Sequence, residues 1–347
     1  MAGALTTTEE LQEYLTKKDI PAAFVTPLSG GTANFVWRLT TLLGRTSIIK
    51  HAEPYIASNS TMVFPVERMD FEKMAMETVG SILPNNGDVR IPVVLHYDSD
   101  AHVLQLSDGG PRTLKEAYTD ESVDIKSIGV GLGKWIAQLH FSTTDETVRH
   151  KFDNKTAKYI YRHSYNNLTT SLKEYGYDTN LGSRINERFG SLLASDDVSV
   201  CHGDFWPGNI LLSDTTITSS DPEPVPLVLS VVDWELTRNG SGVTDVGQFA
   251  AEAFLLDHCR GGRGLLHAFL NEYLGQRKGE LSREDARRIA VHFGTHIAYW
   301  PSRVEWGDKE QTKQIVGRGV EVLEHAEKGN WEWLRGSVLG VLFAQKK

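Results

Sequence analysis

Asp204 and Asn209 stand five positions apart in His202-Gly203-Asp204-Phe205-Trp206-Pro207-Gly208-Asn209, directly after the apolar, β-rich run 198–201. A carboxylate can accept a proton from an attacking hydroxyl and a carboxamide oxygen can ligate a hard cation, so the pair offers a general base and a metal ligand for one reacting centre. The Pro207-Gly208 turn between them would aim both side chains the same way. A second polar cluster, Asp233-Trp234-Glu235, follows the run 227–232. A carboxylate at the tip of a buried strand reaches into a site without spending the strand's own hydrogen bonds. Carboxylates at i and i+2 share a face if the chain stays extended. Mg²⁺ favours such oxygens together with phosphate oxygens and water. Alone, an Asp ending a strand is more often a cap or turn residue; its place one short β segment after the first cluster gives it weight.

A third feature lies near the N-terminus, where Ser29-Gly30-Gly31-Thr32-Ala33-Asn34 precedes a β-rich run and Lys50 closes the next, Thr46-Ser47-Ile48-Ile49-Lys50. Glycines let backbone N–H groups approach phosphate oxygens, and a strand lysine supplies a point charge for them. A Gly pair by itself is an ordinary turn, and a strand-end lysine is usually only solvated. The serial order carries more: Gly turn, strand, Lys, helix with Glu, D-x-x-x-x-N, strand, Asp is the order of protein-kinase-like enzymes, in which the Lys pairs with a Glu of the following helix. Glu67, Glu72 and Glu77 all fall on the helix expected over 64–80. Glu72, beside Phe71, is the choice; spacing alone leaves the other two open.

The elements that must carry these residues are legible in outline. Leu11, Tyr14 and Leu15 mark one face of a helix that Thr8 could cap, and 35–40 and 46–50 read as a hairpin turning at Leu42-Leu43-Gly44-Arg45. Residues 91–97 and 103–106 read as a further strand pair. Asp108-Gly109-Gly110-Pro111 is the strongest breaker of the first third, and beyond it the texture turns helical, with amphipathic stripes at Ile128, Leu132, Trp135, Ile136, Leu139 and at Val246, Phe249, Ala250, Ala253, Phe254. His140 and His296 read as buried structural residues.

The chain has 347 residues, with 36 Lys+Arg against 45 Asp+Glu, a formal charge of -9, and this acidic balance argues against nucleic acid as the main partner. Two cysteines, Cys201 and Cys259, are too few for a disulfide framework and fit a reducing, cytoplasmic setting. No basic-then-apolar leader and no membrane-length apolar stretch is found, so no membrane partner is expected. Oligomeric state has no signature in the sequence. The Ser/Thr/Pro-rich stretch 213–226 reads as an exposed loop.

Taken together, HGDFWPGN, DWE, GGTAN and the strand lysine resemble the aminoglycoside phosphotransferase and choline-kinase-like superfamily of small-molecule kinases, over nearly the whole chain. The DxE form of 233–235 is similar to the methylthioribose kinase branch, although that branch typically ends the catalytic-loop motif in Ser where this chain has Asn209. The resemblance implies an α+β, protein-kinase-like bilobal fold. It has an N-lobe antiparallel sheet plus helix over 1–106 for the nucleotide, and a larger, mostly helical C-lobe over 107–347 with catalytic loop, metal site and acceptor-binding helices. It implies ATP and Mg²⁺ as cofactors, Asp204 as catalytic base, and Asn209 and Asp233 as metal ligands with Glu235 as a further candidate. Lys50 paired to Glu72 would hold the phosphates beside Gly30, Gly31 and Asn34, and the backbone of Gln105, Leu106 and Ser107 would form the adenine-binding hinge. HGD stands where protein kinases have HRD, and no DFG or APE follows, which points to a small-molecule acceptor rather than a peptide.

The implied activity is ATP-dependent transfer of the γ-phosphoryl group to a hydroxyl of a small acceptor, an amine-bearing one among the candidates. Trp300, Trp306, Glu305 and Asp257 are candidates for the acceptor wall, since an aromatic ring with a carboxylate can receive a cationic amine; the ordinary alternative is that both tryptophans belong to the core. Two other classes compete. A metal-dependent hydrolase caged by His202, Asp204, Asp233 and Glu235 would leave Lys50 and the Gly turn without a task. A non-catalytic nucleotide-binding member of the same fold would have no need of Asp204, Asn209, Asp233 and Lys50 together.

Overall fold

The computed structural model describes residues 4–29, 31–83, 87–213, 227–277 and 281–344. Gly30 and most of the stretch 213–226 lie outside the described residues. The chain forms two compact units, Met1–Pro111 with Leu211–Glu235, and Arg112–Ile210 with Leu236–Lys347.

The first unit opens with α1 (Thr8–Lys17), followed by β1 (Phe24–Pro27), β2 (Phe35–Thr40), β3 (Thr46–His51), β4 (Tyr55–Ile56) and β5 (Asn59–Val63). Next come α2 (Arg68–Ile82), β6 (Val89–Arg90), β7 (Val94–Asp98) and β8 (Val103–Ser107). The helix cap is Thr7 rather than Thr8. Its side chain accepts from Glu10 N–H at 3.2 Å and Glu10 Oε2 accepts from Thr7 N–H at 3.0 Å, a capping box whose three-residue span reaches Glu10 only from Thr7.

Five strands pair antiparallel in the order β1-β2-β3-β8-β7. The β2–β3 hairpin closes at the expected turn, where Gly44 takes φ 73° and its N–H donates to Thr41 O at 2.9 Å. Alternation along the strands sorts the residues by face. Trp37, Leu39, Ile49 and Val103 pack with Leu11, Tyr14 and Leu15 of α1 in a buried cluster. Lys50, one residue after Ile49, points to the opposite face. A short strand, Leu229–Val231, runs parallel to β6 with Leu229 opposite Val89 and Ser230 opposite Arg90, so Asp233 leaves a buried edge two residues later.

The second unit is helical, with its longest helices at Ile125–Ser142, Val243–Cys259, Arg283–Tyr299 and Lys309–Lys328. Ile125–Ser142 packs on Leu265–Gln276, and Gly133 makes the approach possible: a Cβ there would stand 2.5 Å from Phe269 O. A two-stranded ribbon, Ser199–Cys201 against Arg238–Gly240, presents the next segment, 202–209, at its end. No described helix is long and apolar enough to cross a membrane. Cys201 is buried and Cys259 exposed, and both are free thiols.

Candidate active site

Of the candidate polar residues, Lys50, Glu72, Asp233 and Glu235 cluster in the first unit, and Asp204 and Asn209 in the second. In the first, Lys50 Nζ donates to both oxygens of Glu72, at 2.7 and 2.8 Å, and to Asp233 Oδ1 at 2.6 Å. Helix register selects Glu72 among the three candidates: Arg68, Met69, Glu72, Ala75, Met76 and Val79 form the buried stripe of α2. Glu67 is exposed ahead of the helix, and Glu77 pairs with Lys73 on the outer face at 2.8 Å. Burial by itself would lower the Lys50 ammonium, but Asp233, Glu72 and Glu235 outweigh it and hold the lysine above its usual range.

Asp233 adopts φ 67°, a left-handed conformation that Asp tolerates better than most residues, so the segment 233–235 does not remain extended. The expected i, i+2 argument for the two carboxylates fails on this turn. Both remain in one cluster because Glu235 is held from other elements. It accepts from Asn34 Nδ2 at 2.7 Å and lies 3.5 Å from Arg68 Nε. Burial, then the charge of Asp233, pushes the Glu235 carboxyl up to about 8. The Trp234 N–H donates to Glu72 Oε1 at 3.3 Å, tying the turn to α2.

Arg68 was not singled out by sequence, yet it organises this cluster. Its guanidinium is buried, donates to Asn34 Oδ1 at 2.9 Å and reaches the carbonyls of Ala33, Glu53, Phe64 and Pro65. Asn34 is therefore a bridge between Arg68 and Glu235. Gly31 lies exposed in the turn that leads to it, and Thr32 O accepts from Ser58 N–H at 3.0 Å. Gln105, Leu106 and Ser107 close β8, with Gln105 opposite Ile49 and the Ser107 N–H donating to Val93 O at 2.9 Å.

In the second unit Gly203 takes φ 90°, and a Cβ at that position would stand 2.0 Å from Leu236 O. Only glycine fits this turn. It swings Asp204 away from the ribbon, and Pro207–Asn209 then forms one 3₁₀ turn. Asn209 Nδ2 donates to Asp204 O at 3.0 Å and to Asp204 Oδ2 at 2.9 Å. Gln248 Nε2 donates to the other carboxylate oxygen, Oδ1, at 2.7 Å. His202 Nδ1 accepts from the Asp204 N–H at 3.1 Å, which makes the imidazole part of the loop's scaffold.

Beneath the loop lies Asp245, fully buried. It accepts from His202 N–H at 2.8 Å and Gly203 N–H at 3.1 Å, and its Oδ2 is 3.0 Å from His140 Nε2. Burial would raise its pKa, but His140, Arg238 and His202 prevail and bring it down to about 2. His140 and His296, which lies 2.7 Å from Glu252, are buried structural partners as expected. Asp245 and Gln248 were missed because Val243–Cys259 reads as an apolar stripe; the polar residues on its buried face, Thr244, Asp245, Gln248 and Glu252, were the available signal.

The expected acceptor wall is redrawn. Asp257 accepts from the Tyr118 hydroxyl and from the N–H groups of Gly264, Leu265 and Leu266 at 2.8, 3.2 and 3.0 Å, so it caps the helix Leu265–Gln276. Trp306 is half-buried with Lys115 Nζ 4.9 Å from its ring centre, Trp300 is half-buried against Tyr299, and Glu305 is exposed.

The phosphotransferase enzyme family model matches residues 25–286, most of the chain. The chain belongs to the phosphotransferase enzyme family. This phosphotransferase is 29% identical to a 4-hydroxytryptamine kinase of Psilocybe cyanescens, covering 95% of this chain and 96% of the relative. It is 26% identical to the 4-hydroxytryptamine kinase of Psilocybe cubensis, covering 95% of each. Among solved structures it resembles an aminoglycoside phosphotransferase captured with GDP and kanamycin, at a TM-score of 0.54 and 14% identity, over 93% of this chain and 100% of the other. The fold is thus the protein-kinase-like one of aminoglycoside phosphotransferases, and the enzyme is a small-molecule kinase with a hydroxyl group as acceptor.

Proposed function

We propose that the enzyme transfers the γ-phosphoryl group of ATP to a hydroxyl of a small, amine-bearing molecule, with Asp204 as the base. Both oxygens of Asp204 are held by amide N–H donors, from Asn209 and Gln248, so its carboxylate is fixed in the presented orientation before an acceptor arrives. That prior fixing is the observation that carries the assignment. A fixed carboxylate orients the acceptor hydroxyl and takes its proton as the O–P bond forms, and the protein otherwise contributes position and charge.

Lys50, kept charged by Glu72 and Asp233, serves the phosphates of the donor. The turn 31–34, anchored through Asn34 and Arg68, supplies backbone N–H groups to them, and the end of β8 at Gln105, Leu106 and Ser107 receives the adenine. The donor set suits Mg²⁺. Asn209 spends its amide nitrogen on Asp204 and retains a carboxamide oxygen, and the first-unit cluster has three carboxyl groups, Glu72, Asp233 and Glu235, against two cations, Lys50 and Arg68. Asp233 and Glu235 in the first unit, and Asn209 in the second, are each candidate ligands for the ion, which when bound would neutralise charge on the transferring group.

The amine in the acceptor is supported by the named substrate of the two Psilocybe relatives. The test is acceptor-dependent ADP release with ATP, Mg²⁺ and a matched panel: hydroxylated arylalkylamines, the same molecules without the amine, amino alcohols and aminoglycosides. Hydroxylated amines should turn over, and their amine-free counterparts should not. A panel in which only uncharged alcohols or sugars react would overturn the acceptor class.

A further inference from the structure

A chain of hydrogen bonds runs from the Asp204 carboxylate into the helical core, and each link dictates the next. Gln248 Nε2 donates to Asp204 Oδ1 at 2.7 Å, while the other end of the same amide, Oε1, lies 3.1 Å from the Tyr161 hydroxyl. That hydroxyl also meets Thr244 O at 3.0 Å and His292 Nε2 at 2.9 Å. Two of its three neighbours are pure acceptors and it has one hydrogen for them, so the third bond runs inward: His292 Nε2–H donates to the Tyr161 oxygen. His292 Nδ1 is then the acceptor, and the Tyr165 hydroxyl stands 3.1 Å from it as donor.

The arrangement is internally consistent for a neutral imidazole of one tautomer. Burial is the leading cause that keeps His292 neutral, pushing its pKa well below the usual histidine range. Packing fixes the chain in place. The Tyr161 and His292 rings stack with centroids 5.1 Å apart, and the Arg238 guanidinium covers Tyr161 at 3.7 Å from its ring centre. Gln248, His292 and Tyr165 are all buried.

We infer that Gln248 is a positioning residue for Asp204 and that Tyr161, itself set by His292 and Tyr165, anchors the Oε1 end of the Gln248 amide. A primary amide has a donor end and an acceptor end of nearly equal shape. The Asp204 carboxylate, an acceptor only, takes the N–H₂ end, and the Tyr161 hydroxyl lies against the Oε1 end at 3.1 Å. Without the hydroxyl the Oε1 end of the amide loses its anchor, the side chain is free to swing, and the carboxylate that it holds drifts from its line to the acceptor. Displacements of this kind, near 1 Å, cost on the order of 100-fold in rate.

The inference rests on Asp204 being the base, so three variants are read beside Asp204→Asn. Tyr161→Phe and Gln248→Met, which keeps the side chain's length without its donor, should each lower kcat by about 10- to 100-fold. KM for ATP and for the acceptor should stay within about twofold, because neither residue is assigned to a substrate. The double variant should equal Gln248→Met alone, since Tyr161 acts only through that amide. Additive losses, unchanged kcat, or losses confined to KM would overturn the inference. Should Tyr161→Phe fail to fold, the kcat and KM of Gln248→Met decide alone. Asp204→Asn separates the two readings: if it retains turnover, the assignment of the base fails, whereas its inactivity alongside unimpaired Gln248→Met sinks only the positioning role.

Discussion

Lys50 Nζ lies 2.6 Å from Asp233 Oδ1, joining two residues 183 positions apart, and the same nitrogen holds both oxygens of Glu72. This three-way contact welds strand β3, helix α2 and the turn after Leu229–Val231 into one charged unit with the lysine buried. Its chemistry separates structural from functional roles, because a buried ion pair is costly to break yet replaceable by apolar groups.

Lys50→Met should leave Glu72 uncompensated and destabilise the protein by about 3–5 kcal/mol. The double change Lys50→Met with Glu72→Met should recover most of that loss in a urea melt while ATP binding stays abolished. Recovery of nucleotide binding together with stability would show that the lysine is only structural.

Gly203→Ala forces a side chain into positive φ and against Leu236 O, 2.0 Å from the added carbon. The loop must shift, and Asp204 with it. Turnover should fall at least 100-fold with nucleotide affinity near normal, since the glycine's neighbours are in the loop and its scaffold. A kcat near that of the parent enzyme would contradict the role given to this turn.

How much of this was legible beforehand divides along sequence distance. The hairpin, the stripe of α2 and the motifs at Asp204, Asn209, Asp233 and Lys50 are local patterns, and period and spacing report them. Choosing Glu72 over Glu67 and Glu77 needed only helix register. Arg68, Asp245, Gln248 and Tyr161 were invisible because their partners come from distant segments and each residue type is unremarkable in its own helix. Asp257 misled for the converse reason: a carboxylate near aromatic residues looks like a ligand site until the backbone donors of the next helix are seen to occupy it.

Asp245→Asn should weaken the acceptors that hold His202 N–H, Gly203 N–H and His140, costing on the order of 3 kcal/mol at neutral pH. Because the folded carboxyl titrates at about 2, below the unfolded value, its stabilisation is complete above about pH 4 and is lost as pH falls toward 2. Denaturant melts should show a near-constant gap between variant and parent from pH 7 down to about pH 5, and the gap should narrow as pH falls from about 4 toward 2. A gap that closes by pH 5 would mean the carboxylate is not held this way.

His292 makes the opposite kind of contribution. Its folded pKa is depressed by burial and by the neighbouring His296, Arg238 and Arg288, with Asp245 acting the other way. The unfolded chain takes up a proton near pH 6.5 that the folded protein refuses, so stability is full above that pH and falls below it, by up to about 1.4 kcal/mol per unit. Melting temperatures between pH 8 and 5 should decline along this limb, and His292→Gln should decline less steeply. Parallel slopes would place the acid sensitivity elsewhere.

Asp204 is proposed as the base of the phosphoryl transfer. Rapid-quench turnover of γ-labelled ATP with a reactive hydroxylated amine, in the parent and in Asp204→Asn, tests it most directly, with ATP affinity measured on the same samples by calorimetry. The expected result is a loss of at least 1000-fold in the transfer step with ATP affinity unchanged within about threefold. A transfer rate within tenfold of the parent would contradict the claim.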